Sequence, residues 1–395
     1  MFTSSMIIRR CNPNTFIPII YMMLAVVPFF LVGIHAPVIK SSLDLSSLEL
    51  GVAISCSSVA ASIFAISIGR RVRAYGLAWC LKLSSLLAFF SLILIGKFVQ
   101  KWWELAIALG LGGVANALAQ TSMNFTSTHS STSDQRASVF GLKQASIPTI
   151  SLIIALLSPI LLRYGSWRLG FLLAAVFSLI GIIMNPKLDL VVSSSGIGLK
   201  LKRHQKLIAF FIIAGGFFSG LISTGLSAFI SIYVTSNGFT ISKTGFLLAL
   251  GSVLAVVARI LGGLYIDKHL SNGIQEFIAI SLVGCIGFLL LAISSDIEIL
   301  IIFGSILAFG SAWGWPGFIH FAVISLFKTN SIRIGSFVLS AIYAGNTVGP
   351  SVMGILVEYF SFSIMWSFCA VAFFTAGLCF VIARILIGLL SDYET

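Results

Sequence analysis

The feature that most constrains this chain is a succession of continuous apolar runs, each long enough to cross a lipid bilayer. A hydrocarbon core about 30 Å thick requires roughly 20 apolar residues of helix. Runs of that kind lie near 16–39, 48–68, 77–97, 104–126, 138–162, 167–185, 207–233, 244–265, 274–294, 298–322, 334–357 and 363–388. They lack the apolar–polar alternation of a membrane β-strand. The expected fold is therefore an all-α membrane protein with twelve transmembrane helices. Composition agrees, since only 9% of the 395 residues are charged, against about 25% in a soluble domain. The apolar run behind Met1–Arg10 is too long for a signal peptide and no clean cleavage site follows, so it reads as the first span.

The formal net charge of +12 is a topology signal. With the loops assigned to alternate sides, fifteen of the 24 Lys and Arg fall on the side of the termini, six on the other and three within spans. That bias predicts cytoplasmic termini and leaves no case for nucleic acid. Compact loops point to a bacterial inner membrane. The expected partners are lipid, a small-molecule substrate and, as a candidate, a coupling proton or other ion; the expected state is a monomer. Six scattered cysteines form no metal or redox spacing. The five histidines lie in five separate segments, so no metal, cofactor or catalytic residue is expected and the chain does not read as an enzyme. It has no G-x-x-x-x-G-K-[ST] loop to energise a pump.

The longest polar interval lies near the middle, with six spans before it and six after. This predicts an N-terminal bundle over 1–186, a cytoplasmic linker over 187–206 and a C-terminal bundle over 207–395. A weak internal repeat supports the division. Asp134-Gln135-Arg136 opens the fifth span as Ser331-Ile332-Arg333 opens the eleventh, Trp167 and Trp366 lie early in the sixth and twelfth, and Gly69 corresponds to Gly263. The sequence Gly263-x-x-x-Asp267-Lys268 resembles the G-x-x-x-D-[RK] turn of the major facilitator superfamily, and the resemblance extends over essentially the whole chain. The first-half copy departs from the pattern, with Arg73 where the acid is expected. Gly165-Ser-Trp167-Arg168 and Gly345-x-x-x-Gly349-Pro350-x-x-x-Gly354 are further points of similarity. The latter reads as small-residue helix packing with Pro350 as a hinge.

The resemblance implies a secondary transporter with two six-helix bundles rocking about a central cavity, lined chiefly by the first, fourth, seventh and tenth helices. The residues offer candidates on those helices and their neighbours. Asn116 and Gln120 share one helix face with Asn124. Lys143 and Gln144 lie inside the fifth span, where a lysine must be paired, hydrated or snorkelling. His35 and His320 could each carry a proton. Trp313, Trp315, Tyr343 and Asn346 could supply aromatic walls and a polar contact, and Ser219, Ser223 and Ser227 form a stripe on the seventh span. Arg259 either binds an anion or braces the gate by pairing with acids. Gly263, Asp267, Lys268, Gly345, Gly349 and Pro350 are assigned to gating and structure.

None of the twelve acids lies at the centre of a span, whereas the embedded charges are positive. A cavity of that kind suits an anionic or neutral polar solute. The drug-antiporter branch of the superfamily carries an arginine early in the fourth helix, where Ala106 stands here, and a Gly-Pro pair in the fifth, where only Pro148 appears. Efflux antiport of drugs or metabolites is the alternative, and a solute sensor on a transporter fold is the alternative from another class.

Overall fold

In lipid the backbone must satisfy its own hydrogen bonds, and a continuous apolar run does so by coiling. The structure, a computed structural model, describes residues 13–129, 136–184, 201–295, 297–327 and 330–391. Side chains at 13–15, 66–74, 124–129, 136, 332, 390 and 391 are not part of that description. Among the described residues every regular element is helical. Met1–Arg10, Asp134 and residues 187–200 of the expected linker lie outside it, as do the side chains of Arg73 and Asn124.

The elements run α1 Pro13–Ile34, α2 Ala36–Ser42, α3 Ser47–Ile93, a π-turn Leu94–Phe98, α4 Trp102–His129, α5 Arg136–Gln144, α6 Ser146–Tyr164 and α7 Trp167–Ile183. They continue with α8 Arg203–Ser236, α9 Ile241–His269, α10 Ile274–Ile293, α11 Glu298–Gly314, α12 Pro316–Leu326, α13 Ser331–Tyr359 and α14 Phe362–Ser391. Ten stretches are long and apolar enough to cross a membrane. The 17-residue α7 and the 29-residue α13 complete the twelve expected spans.

Three spans are broken by proline chemistry that the hydropathy pattern does not show. α1 passes to α2 at His35, α5 to α6 at Ala145, and α11 to α12 at Trp315, with Pro37, Pro148 and Pro316 just beyond each joint. The expected basic loop after the second span is instead helical backbone running into the third, turned at Gly76, whose φ of +83° and ψ of 164° suit glycine alone. α3 begins in a reciprocal cap, Ser46 N–H donating to Glu49 at 2.9 Å and Glu49 N–H to Ser46 Oγ at 3.0 Å. Arg168 closes the end of the third span, donating to the Val99 carbonyl at 2.6 Å and lying over the Trp167 ring.

The first six and last six spans meet in two seams. At the distal end, that of the 43–46 and 360–361 turns, α3 packs on α13 backbone to backbone. A Cβ at Gly51 would fall on the Pro350 carbonyl, and one at Gly354 on the Ser47 carbonyl. Ser55 Oγ and Ser351 Oγ are 2.8 Å apart, and Ser47 N–H donates to Glu358 at 2.8 Å. Beside them Ser231 on α8 donates to the Gly33 carbonyl of α1 at 2.8 Å. At the proximal end α5 packs on α9, with Gly141 against the Arg259 carbonyl and Gly263 against the Ala137 carbonyl. The Asp267 carboxylate accepts Ala137 N–H at 3.1 Å and Ser138 N–H at 2.8 Å, a negative group at the positive end of α5. Gly345 and Gly349 act elsewhere, bringing α13 onto the backbone of α8 at Phe217 and Leu221. Lys268 is exposed.

Candidate functional site

Between the two seams lies a cavity of about 120 Å³. One water needs roughly 10–15 Å³ by this measure, so the space suits about ten waters or one small solute. Its walls come from both halves of the chain. α1 contributes Phe29 and Phe30, and α3 Ser57 and Ser58. α4 supplies Asn116 and Gln120, and the fifth span Gln144. From the later spans come Ser223 and Thr224 on α8, Arg259 on α9, Trp313, Trp315 and His320 at the α11–α12 break, and Tyr343 and Asn346 on α13. Among the described residues no lining residue is acidic.

Arg259 organises this site. Its side chain is 1% exposed, and its Nε donates to the Trp313 carbonyl at 2.6 Å, while Nη1 donates to the Gln144 carbonyl. Its Nη2 has no protein partner. Among the described residues the guanidinium thus braces two carbonyls, one from each half of the chain, in place of an acid. The Gln144 carbonyl is available because Pro148, four residues on, has no N–H to give it.

That arrangement recurs. Pro37 frees the Gly33 carbonyl, which takes Ser231. Pro316 frees the Ala312 carbonyl, which takes Ser223 Oγ at 3.0 Å, and Pro350 frees the Asn346 carbonyl, which takes Thr224 Oγ1 at 3.0 Å. Each of these four carbonyls takes a donor from α8 or α9.

The remaining polar groups are partly uncommitted. Gln144 Nε2, Trp313 Nε1, His320 Nε2, Asn116 Oδ1 and Asn346 Oδ1 are buried and have no partner among the described residues. His320 Nδ1 lies 2.7 Å from the Pro316 carbonyl, and its ring stands 5.6 Å from that of Phe140. Trp313 packs on Phe30 with ring centroids 4.9 Å apart, and Trp315 Nε1 donates to Ser223 Oγ at 3.2 Å.

Of the expected substrate contacts, Asn116, Gln120, Gln144, Trp313, Trp315, Tyr343 and Asn346 line one cavity. Two do not reach it. His35 is fully buried among the first six spans, against Phe171 and Gly170, because it sits at the α1–α2 joint on the side away from the cavity. Lys143 is 0% exposed and absent from the walls. One residue of helix separates it from Gln144, a rotation of about 100° that turns it off the lining face. Full burial also rules out snorkelling to the interface. On the serine stripe Ser223 alone lines the cavity, while Ser219 bonds its own helix and Ser227 is buried against Gly33. The sequence reading missed Ser57, Ser58, Thr224, Phe29 and Phe30. Serines one residue apart and paired phenylalanines give no periodic signal.

The family model described as Major Facilitator Superfamily matches residues 19–286. No curated protein sequence matches. Among solved structures, the proton:xylose symporter XylE bound to 6-bromo-6-deoxy-D-glucose is similar at a TM-score of 0.71 and 13% identity, over 92% of this chain and 94% of that one. The partially occluded, inward-open xylose transporter XylE from E. coli is similar at a TM-score of 0.72 and 12% identity, over 92% and 97% of the two chains. At such identities the likeness is one of fold.

Proposed function

This chain belongs to the Major Facilitator Superfamily, and we propose that within that family of secondary, multi-pass membrane transporters it moves a small anionic solute by alternating access. The observation that carries the reading is Arg259, a buried cation on the wall of a cavity that has no acid among the described residues, with Nη2 buried and unpartnered among them. A cation kept from water and left without a counter-ion is costly unless a ligand supplies the missing charge. Gln144 Nε2 and Trp313 Nε1 add unpartnered donors to the same cavity. The aromatic side chains flanking Arg259 suit a small organic carboxylate better than a fully hydrated inorganic ion. The two six-span sets act as the moving bundles, in a cell membrane with both termini on the cytoplasmic side, as the basic residues of the loops favour.

Thermal unfolding of the purified protein tests this. Pyruvate, nitrate, phosphate, xylose and tetramethylammonium would each be added at graded concentration. A binder at about 100 times its Kd stabilises by ~2.7 kcal/mol. An anion is expected to raise the unfolding temperature of the wild type and not of Arg259→Gln. Stabilisation by tetramethylammonium alone overturns the reading. Stabilisation by xylose alone favours a second reading, a neutral polyol held by the amides of Asn116, Gln120 and Asn346 against Trp313 and Trp315.

A further inference from the structure

Arg259 has three donor groups, and among the described residues only two of them have partners. Nε holds Trp313 within the last six spans, Nη1 holds Gln144 of the first six, and Nη2 is free. The Gln144 carbonyl has no intrahelical donor to share with the guanidinium, because Pro148 withholds an N–H. The helix keeps its register on either side of that gap, with Ala145 N–H bonded to the Gly141 carbonyl at 2.9 Å and Thr149 N–H to the Ala145 carbonyl at 3.0 Å. An N–H at position 148 would therefore be directed at the Gln144 carbonyl, as in any unbroken helix.

We propose that Arg259 and Pro148 together tie anion occupancy of the cavity to closure of the proximal α5–α9 seam. The proposal rests on the reading of Arg259 as the anion's anchor. An anion on Nη2 fixes the plane of the guanidinium, whose fork geometry then holds Nη1 on Gln144 and Nε on Trp313. Without an anion the side chain is held by two neutral carbonyls alone. The same bond lies where the seam is already narrow, between Gly141, which faces the Arg259 carbonyl, and the Asp267 cap one turn beyond Gly263. Linkage makes the relation reciprocal. The factor by which an anion favours the closed seam is the factor by which a closed seam favours the anion.

Pro148→Ala isolates the effect, since it gives Gln144 an intrahelical partner and leaves every group of Arg259 in place. Spin labels at Tyr75 and Leu270, 63% and 88% exposed, flank the proximal end in a cysteine-free protein in nanodiscs. Electron–electron distances would be measured with and without pyruvate, nitrate or phosphate. In the wild type an anion that binds should raise the short-distance population by about fivefold, a typical coupling. Pro148→Ala should show the longer distance both with and without the anion, and should bind it more weakly by a similar factor. Arg259→Lys, which keeps the charge but loses the fork, should behave like Pro148→Ala. An anion that stabilises the wild type without moving the seam overturns this proposal alone, as does a Pro148→Ala distribution equal to that of the wild type. If none of the three anions stabilises the protein, the reading beneath it fails as well. Pro148→Ala adds no bulk, so it decides the matter even where an Arg259 variant does not fold.

Discussion

The distal and proximal seams close the same molecule by different physics. Both set glycines on carbonyls across the seam and a carboxylate, Glu358 or Asp267, on a backbone N–H; distally two serines share a hydrogen bond besides. Only the proximal seam adds a buried charge, the Arg259 guanidinium on the Gln144 carbonyl, beside the Asp267 carboxylate on the start of α5. Close packing is short-ranged and indifferent to solutes, so the distal seam behaves as a fitted joint. A charged contact can be traded for water or for a ligand, so the proximal seam behaves as a responsive one. The two proximal corners differ as well. α5 starts under an acid from the last six spans, whereas the first-half motif has Arg73 in the sequence position of that acid.

The comparison breaks most readily at its tightest point. Gly51→Val would drive a side chain into the Pro350 carbonyl. Overpacking costs about 1–3 kcal/mol, enough to open the distal seam by roughly 5- to 150-fold in population. Counterflow uptake by reconstituted protein should fall accordingly, and the labelling rate of a cysteine placed at Ser351 should rise. Asp267→Ala removes a cap of about 0.5–2 kcal/mol, and should open the proximal seam by several-fold while leaving labelling at position 351 unchanged. If both variants open the same end, the two-seam distinction is wrong. Glu358→Gln keeps an acceptor for Ser47 N–H and loses only charge strength. A change of about twofold or less in distal labelling is expected, in line with the weakness of exposed electrostatics. Lys243→Ala, which breaks an ion pair whose side chains are 65% and 63% exposed, should leave both seams within error of the wild type.

The sequence was legible where lipid imposes a rule. Span length, the all-helical fold and the inward turn of Asn116, Gln120, Gln144 and Asn346 all follow from the cost of polar groups in hydrocarbon. It was illegible where one residue of rotation decides the outcome. Lys143 and Gln144 look equally promising as neighbours in a string, yet only the amide lines the cavity. Arg259 could be recognised as embedded, but its partners are carbonyls, which every residue has, so no sequence pattern could nominate them. Half of that answer was present in the prolines. Pro148, Pro316 and Pro350 each mark a carbonyl four residues earlier that lacks its usual donor; which hydroxyl or guanidinium arrives there is settled by tertiary packing.

The stitching of proline-freed carbonyls has a consequence for how the chain is made. Spans emerge from the ribosome in order, and an unsatisfied carbonyl in hydrocarbon costs several kcal/mol. The Ala312 and Asn346 carbonyls find Ser223 and Thr224 already synthesised. Those of Gly33 and Gln144 must wait for Ser231 and Arg259, which are translated more than a hundred residues later. The later half carries its own donors for these breaks, while the earlier half stays unfinished until α8 and α9 leave the translocon.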